Sequence, residues 1–159
     1  FYDICRHFRA IMLIFVEKNE MEIFDPTVAY GNVDDNNTMS LIKMVREGVE
    51  FPAFEKFASK SPFSQQEWSA YLHLSERTMQ RYRNEKRTFD PLQSEKIIEI
   101  ALLYNKGVEV FGSAEKLNTW LETNNLALGD IKPKSLLDNT FGISILKDEL
   151  FAIEHGVLA

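Results

Sequence analysis

The sequence predicts an all-α protein built from two small helical domains, on three observations. From Leu92 to Phe111 the apolar residues recur at spacings of three and four, the period of a helix with a buried face. Helix-start signatures recur along the chain: Ser64 with Glu67, Ser75, Asp90 with Pro91 and Gln93, and Ser113. Seven Gly and five Pro in 159 residues leave little room for collagenous, low-complexity or turn-dense β designs. The length suffices for a real core and is too short for the common barrel enzymes.

Residues 1–38 read as an extension and linker. The chain opens on Phe1, and Met12, Met21 and Met39 are alternative starts. Arg6 and Arg9 precede a short apolar run, Ala10 to Val16, in superficial imitation of a signal peptide. Seven apolar residues do not span a bilayer, and Glu17, Lys18, Asn19 and Glu20 follow in place of a small-residue cleavage site. No membrane association is expected. A single cysteine, Cys5, can form neither an internal disulfide nor a cysteine-rich metal site, which fits a reducing, cytoplasmic setting. The run DPTVAYGNVDDNNT, from Asp25 to Thr38, has the polar, turn-rich composition of a linker.

Residues 39–90 are expected to carry a helix-turn-helix. Ser64 and Glu67 form a capping box that starts one helix, and Ser75 caps a second about a turn further on. Trp68 and Leu72 then face inward, small Ser69 sits where the helices cross, Leu74 lies in the turn, and Met79 with Tyr82 anchor the second helix. Where such motifs usually place Gly in the turn this chain has His73, so a side chain must be accepted there, in a left-handed conformation. The opposite surface of the second helix carries Glu76, Arg77, Gln80, Arg81 and Asn84. Arg pairs with guanine edges and Gln or Asn with adenine, so this face has the vocabulary of major-groove readout. Ser75 opens the same helix; Gln65 would stand over a phosphate, and Arg83, Lys86 and Arg87 would touch backbone.

Net charge at first argues otherwise. Eighteen basic against 24 acidic side chains give −6, which is not the balance of a uniformly basic nucleic-acid binder. The charge is distributed in blocks: −4 over residues 1–50, +2 over 51–90 and −4 over 91–159. Between Arg77 and Arg87 five basic residues oppose only Glu85, a local +4.

Residues 91–159 are expected to form the second domain. Asp90 caps a long helix with Pro91 in its first turn, whose face comprises Leu92, Ile97, Ile98, Ala101, Leu102, Tyr104, Val108 and Phe111, with Gly112 ending it. Ser113 caps the next, which places Leu117, Trp120 and Leu121 on one face before Asn124 and Asn125 break it. After Leu128-Gly129 and Pro133 come a short helix, SLLDNT, and a last helix ending near His155-Gly156.

At these residues the chain resembles the Xre/MbcA/ParS-type antitoxins, in particular their carboxy-terminal toxin-binding domain. The matching positions are Trp120, Leu121, Asn125, Leu128, Gly129, Pro133, Leu136, Leu137, Gly142, Leu150, Ile153, His155, Gly156, Val157 and Ala159, and the stretch from about Phe63, with LSERTMQRY and VFGSAEK, is similar to the helix-turn-helix these antitoxins carry. Three positions depart from the pattern: Asn124 replaces a frequent Pro, Asp130 stands where a second Gly is common, and Lys132 where a capping Thr is common.

The resemblance implies a partner, a RES-domain toxin that consumes NAD, blocked by the carboxy-terminal segment at or near its active-site cleft. Trp120, Asn125, Leu150, Ile153, Glu154, His155, Gly156, Val157, Leu158 and Ala159 would make the contacts. It also implies autorepression of the operon, through a homodimer on operator DNA within a larger toxin–antitoxin complex, since one helix contacts few bases. No cofactor or metal is expected, with His7, His73 and His155 scattered. No Gly-rich phosphate loop, nucleophile elbow or paired ligand motif speaks for an enzyme. The alternative is a stand-alone helix-turn-helix regulator with a ligand- or partner-sensing second domain. It should enclose an apolar pocket, whereas an antitoxin should expose an apolar patch.

Overall fold

In the computed structural model residues 35–156 are described, and seven α-helices follow one another there: α1 (Asp35–Glu47), α2 (Phe51–Ala58), α3 (Gln65–Tyr71), α4 (Glu76–Glu85), α5 (Pro91–Phe111), α6 (Ala114–Glu122) and α7 (Thr140–Glu154). Two 3-10 turns, Leu126–Leu128 and Pro133–Leu136, join α6 to α7. The all-α expectation holds. The extension and apolar run at the start of the chain, and Val157 to Ala159, lie outside the described residues.

The expected linker ends earlier than its composition suggested, because α1 already begins at Asp35 and takes in Asp35 to Thr38. Asp and Asn favour turns and also the first turn of a helix, where unpaired amides and the positive dipole end attract them, so composition did not separate the two.

Helix α5 is the axis of the fold: α1, α6 and α7 all pack against it. Its burial runs almost all round, with Ile97, Ile98, Ile100, Ala101, Leu102, Leu103 and Tyr104 in the core. Asp90 accepts from the Gln93 amide at 3.1 Å, Pro91 occupies the first turn, and Gly112 closes the helix in a left-handed conformation. Leu92 departs from the expected face. It is 76% exposed.

A second centre of packing is aromatic. Phe51, Phe54 and Phe57 of α2 surround Trp68 of α3 with Phe63, Tyr71 and Phe89, in edge-to-face pairs such as Phe54–Trp68 at 5.0 Å and Phe63–Tyr71 at 5.5 Å. Such pairs add about 0.5–1.5 kcal/mol each beyond area burial. Tyr104 of α5 closes the cluster against Phe57 and donates to Asn118 at 3.0 Å, which joins the aromatic centre to α6.

Beyond α6 the backbone is set by tight approaches. The expected SLLDNT helix is instead a 3-10 turn over Pro133–Leu136, and Thr140 already belongs to α7 with Asn139 as its cap. Pro133 pre-sets the turn, and Asn139 accepts from the Gly142 amide at 2.8 Å, a stronger start signal than the residues before it. Gly142 is required by proximity: a Cβ there would stand 2.1 Å from the Leu136 carbonyl oxygen.

Candidate nucleic-acid interface and partner face

The helix-turn-helix forms from local chemistry. Glu67 N donates to Ser64 Oγ at 3.1 Å and Ser64 N to Glu67 Oε2 at 2.7 Å, so the capping box closes in both directions and starts α3. The turn runs through His73 at φ 52°, and Leu74 N reaches back to the Ser69 carbonyl at 2.9 Å. Ser69, 5% exposed, lies at the crossing. Ser75 then accepts from the Thr78 amide at 3.1 Å and starts α4, which packs on α2 and α3 through Met79 and Tyr82.

The outward surface is charged and solvated. Glu76, Arg77, Gln80, Arg81, Asn84 and Lys86 are exposed, and among the described residues Arg77, Arg81 and Lys86 form no ion pair. Gln80 donates to Asn84 at 3.0 Å, so those two amides present one linked polar edge. Lys86 ends α4 in a left-handed conformation, φ 48°. Other residues of the predicted face are engaged already. Arg83 pairs with Glu55 at 3.1 Å, donates to Gln65 at 3.3 Å and lies over the Phe51 ring. Arg87 lies over Tyr82 and pairs with Glu85 at 3.6 Å. The Arg83 guanidinium thus braces α4 against α2 and that of Arg87 folds back on α4, so for either one reaching a phosphate would mean exchanging a carboxylate for it. Ser75's hydroxyl is spent on its cap.

The outward side of α7 presents a different chemistry. On α7 the residues Ile143, Leu146 and Leu150 are buried, while Phe141 is 84% exposed, Ile145 48% and Phe151 60%. By helical period those three share the outward side with Asp148 and His155. The His155 ring stacks on Phe151 at 4.1 Å between centroids and its Nδ1 lies 2.9 Å from the Phe151 carbonyl oxygen. Nearby, Leu126 on the 3-10 turn is 85% exposed.

This placement corrects part of the predicted partner face. Leu150 is 1% exposed and belongs to the core, because it stands on the side of α7 turned to α5. Asn125 is a structural knot: its Oδ1 accepts from Ala127 N at 2.9 Å, its Nδ2 donates to Glu149, and its backbone pairs with Ile131 and Asp130. Trp120 is half buried against Phe111 at 5.5 Å. Glu154 pairs with Lys106 of α5 at 2.7 Å. Ile153 is half buried; His155 and Gly156 are exposed. Phe141, Ile145 and Phe151 were missed. They lie in a helix whose apolar residues fall on more than one side, between Ser144, Lys147, Asp148 and Glu149, and only the packing of α7 on α5 tells its two faces apart.

The departures in the joining loop also acquire a reason. Asp130 adopts φ 61° directly after Gly129 at φ 83°, so a second Gly would suit that position. Lys132 opens the Pro133 turn with no side-chain cap, where a Thr hydroxyl would supply one.

Lys134 links the two sites. Its Nζ lies 2.6 Å from Glu67 of the α3 capping box and 2.5 Å from Glu122 at the end of α6. Burial opposes ionisation of Glu67, but the hydrogen bonds from Lys134 and Ser64 prevail and hold its carboxyl below the ordinary range.

Comparisons with known proteins match two successive stretches of the chain. Residues 40–102 match the Antitoxin Xre-like helix-turn-helix domain, and residues 106–156 match the Antitoxin Xre/MbcA/ParS C-terminal toxin-binding domain. The chain belongs to the Xre/MbcA/ParS antitoxin family. The two matches meet inside α5, which serves as the shared wall of both. A curated relative named Antitoxin Xre, from Yersinia enterocolitica, is 31% identical over 87 residues, or 54% of this chain and 59% of that protein. Among the described residues no helix is long and apolar enough to cross a membrane, and no three His, Cys, Asp or Glu side chains group as a metal site.

Proposed function

We propose that this antitoxin-family protein acts by binding alone, in the cytoplasm: it neutralises a RES-domain, NAD-consuming toxin through its carboxy-terminal half and represses its own operon, as a dimer, through α3 and α4. The observation that carries the reading is the contrast of exposed faces. Arg77, Arg81 and Lys86 form no ion pair among the described residues on one, and Phe141, Ile145 and Phe151 stand apolar on the other. A face left charged and solvated suits a phosphate backbone and base edges. A face left apolar suits burial under another protein.

The rival, a regulator sensing a small ligand in its second domain, needs an enclosed pocket there. The cavity bounded by Leu117, Trp120, Leu137 and Leu150 has a volume of about 10 Å³, hardly the space of one water molecule. That favours the antitoxin reading. Co-expression of the full chain with a RES-domain toxin should restore growth and give a complex that copurifies and retards operator DNA. Unrelieved toxicity with no copurification would sink the reading.

A further inference from the structure

Between α2, α3 and α4 lies an open cavity of about 230 Å³. Its inner wall is largely aromatic: Phe51 and Phe54 of α2, Phe63, and Trp68 of α3 line it with Met79 of α4, and all five are buried. Its mouth is polar, because Glu55 of α2, Gln65 of α3 and Arg83 of α4 line the same cavity and are exposed. An apolar cavity of about 150 Å³ takes up benzene, so this one has room for a single aromatic ring with a short polar head. The wall also holds an unpaired donor. Trp68 is 2% exposed, and its Nε1 has no hydrogen-bond partner among the described residues.

The mouth carries one charge of each sign, side by side. Arg83 Nε lies 3.1 Å from Glu55 Oε1, Arg83 Nη1 donates to Gln65 Oε1 at 3.3 Å, and the guanidinium lies 5.7 Å over the Phe51 ring. A guanidinium has more N–H groups than these two contacts use, and a carboxylate has a second oxygen. A simple anion would be drawn to Arg83 and repelled by Glu55, and a simple cation the reverse; a molecule with both charges on neighbouring atoms matches both. An α-amino acid is such a molecule, with carboxylate and ammonium on one carbon. An aromatic one sets its ring a single methylene further in, where edge-to-face contacts with the wall await it.

We infer that the cavity between α2, α3 and α4 is a binding site for a free aromatic α-amino acid of the size of phenylalanine, its ring among Phe51, Phe54 and Trp68, its carboxylate on Arg83 and its ammonium on Glu55 and Gln65 Oε1. The inference goes beyond the proposed function. Its ligand is neither toxin nor DNA, and it stands or falls whichever partner the α7 face takes.

Titration of the full chain with L-phenylalanine, hydrocinnamate and phenethylamine tests it, followed by calorimetry and by the indole N–H resonances of Trp68 and Trp120, told apart with Trp120→Phe. L-phenylalanine should bind with a dissociation constant of about 1 mM or tighter, the scale for so small a ligand, and should shift the Trp68 resonance while leaving that of Trp120 in place. Hydrocinnamate lacks the ammonium and phenethylamine the carboxylate, so each should bind roughly tenfold or more weakly. Arg83→Met and Glu55→Gln should each weaken L-phenylalanine to the same degree. Both side chains are exposed, so thermal midpoints should stay near wild type, and the three ligands on wild type decide the matter whatever the variants do to folding. Three ligands bound alike, or binding undiminished in either variant, would overturn the amino-acid assignment and leave a merely apolar slot. No saturable binding of L-phenylalanine, or a shift of Trp120 in place of Trp68, overturns the site itself.

Discussion

The outward faces of α4 and α7 are each the unburied side of a helix whose other side is in the core, and they have opposite chemistry. On α4 the core side is thin, Met79 with half-buried Tyr82, and every other residue but Thr78 is charged or amide. On α7 the core side is Ile143, Leu146 and Leu150, and the outward side again carries large apolar side chains, Phe141, Ile145 and Phe151, set among Ser144, Asp148 and His155. A charged face is at no disadvantage in water and can wait for an anionic partner, which displaces counterions when it arrives. An apolar face is a liability when free and gains when covered. The difference teaches that the two activities should separate by mutation, and that the apolar face should be the one with the steeper response.

The largest expected effect is structural and falls on the α7 side. Gly142→Ala must displace the Leu136 carbonyl, and should cost about 3 kcal/mol of stability. Urea denaturation would show this as a lower midpoint at unchanged slope; an unchanged midpoint would mean the turn over Pro133–Leu136 is free to move.

Next come substitutions that spare the fold and attack the faces. Phe141→Asp and Phe151→Asp should each weaken toxin binding by roughly thirty-fold or more while leaving operator binding intact, as calorimetry and gel retardation can check side by side. Arg77→Ala and Arg81→Ala should do the reverse, each costing operator affinity about 1–3 kcal/mol with toxin binding unchanged. Equal loss of both activities from any one of these variants would break the division between the two faces.

The smallest effect joins them. The Glu67 carboxyl is held below its ordinary value in the folded chain, so its contribution is present at neutral pH and is lost as pH falls from above 4.5 through the folded value. Lys134→Met should remove part of that acid dependence, leaving the part held by Ser64, and lower stability at pH 7 by about 0.5–1 kcal/mol, the range of a partly exposed ion pair. A stability–pH curve parallel to wild type would show that Lys134 does not hold the capping box to the carboxy-terminal half.

Legibility in the sequence differed between the two regions for a physical reason. Around α3 and α4 the signals are local: Ser64 with Glu67, Ser75 with Thr78, and His73 in the turn all act over three or four residues, so their consequences could be read in order along the chain. The α7 side depends on contacts far apart in sequence. Leu150 was expected at the partner face and is in the core, Asn125 was expected to reach outward and ties its own loop, and Phe141, Ile145 and Phe151 drew no notice in a helix with apolar residues on more than one side. Helix α2 also escaped, since eight residues with three Phe give too short a pattern to establish a period.

What the sequence by itself determined is the class, the succession of α3 to α6 with the caps that start them and the local positive charge of α4, because capping, helical period and charge are properties of neighbours a few residues apart. Which side of α7 is apolar and open, how Lys134 ties the two regions, and where α2, α3 and α4 leave a cavity between them were decided only by tertiary structure. These follow from how much of each helix its partners cover, and coverage is set by residues tens of positions away.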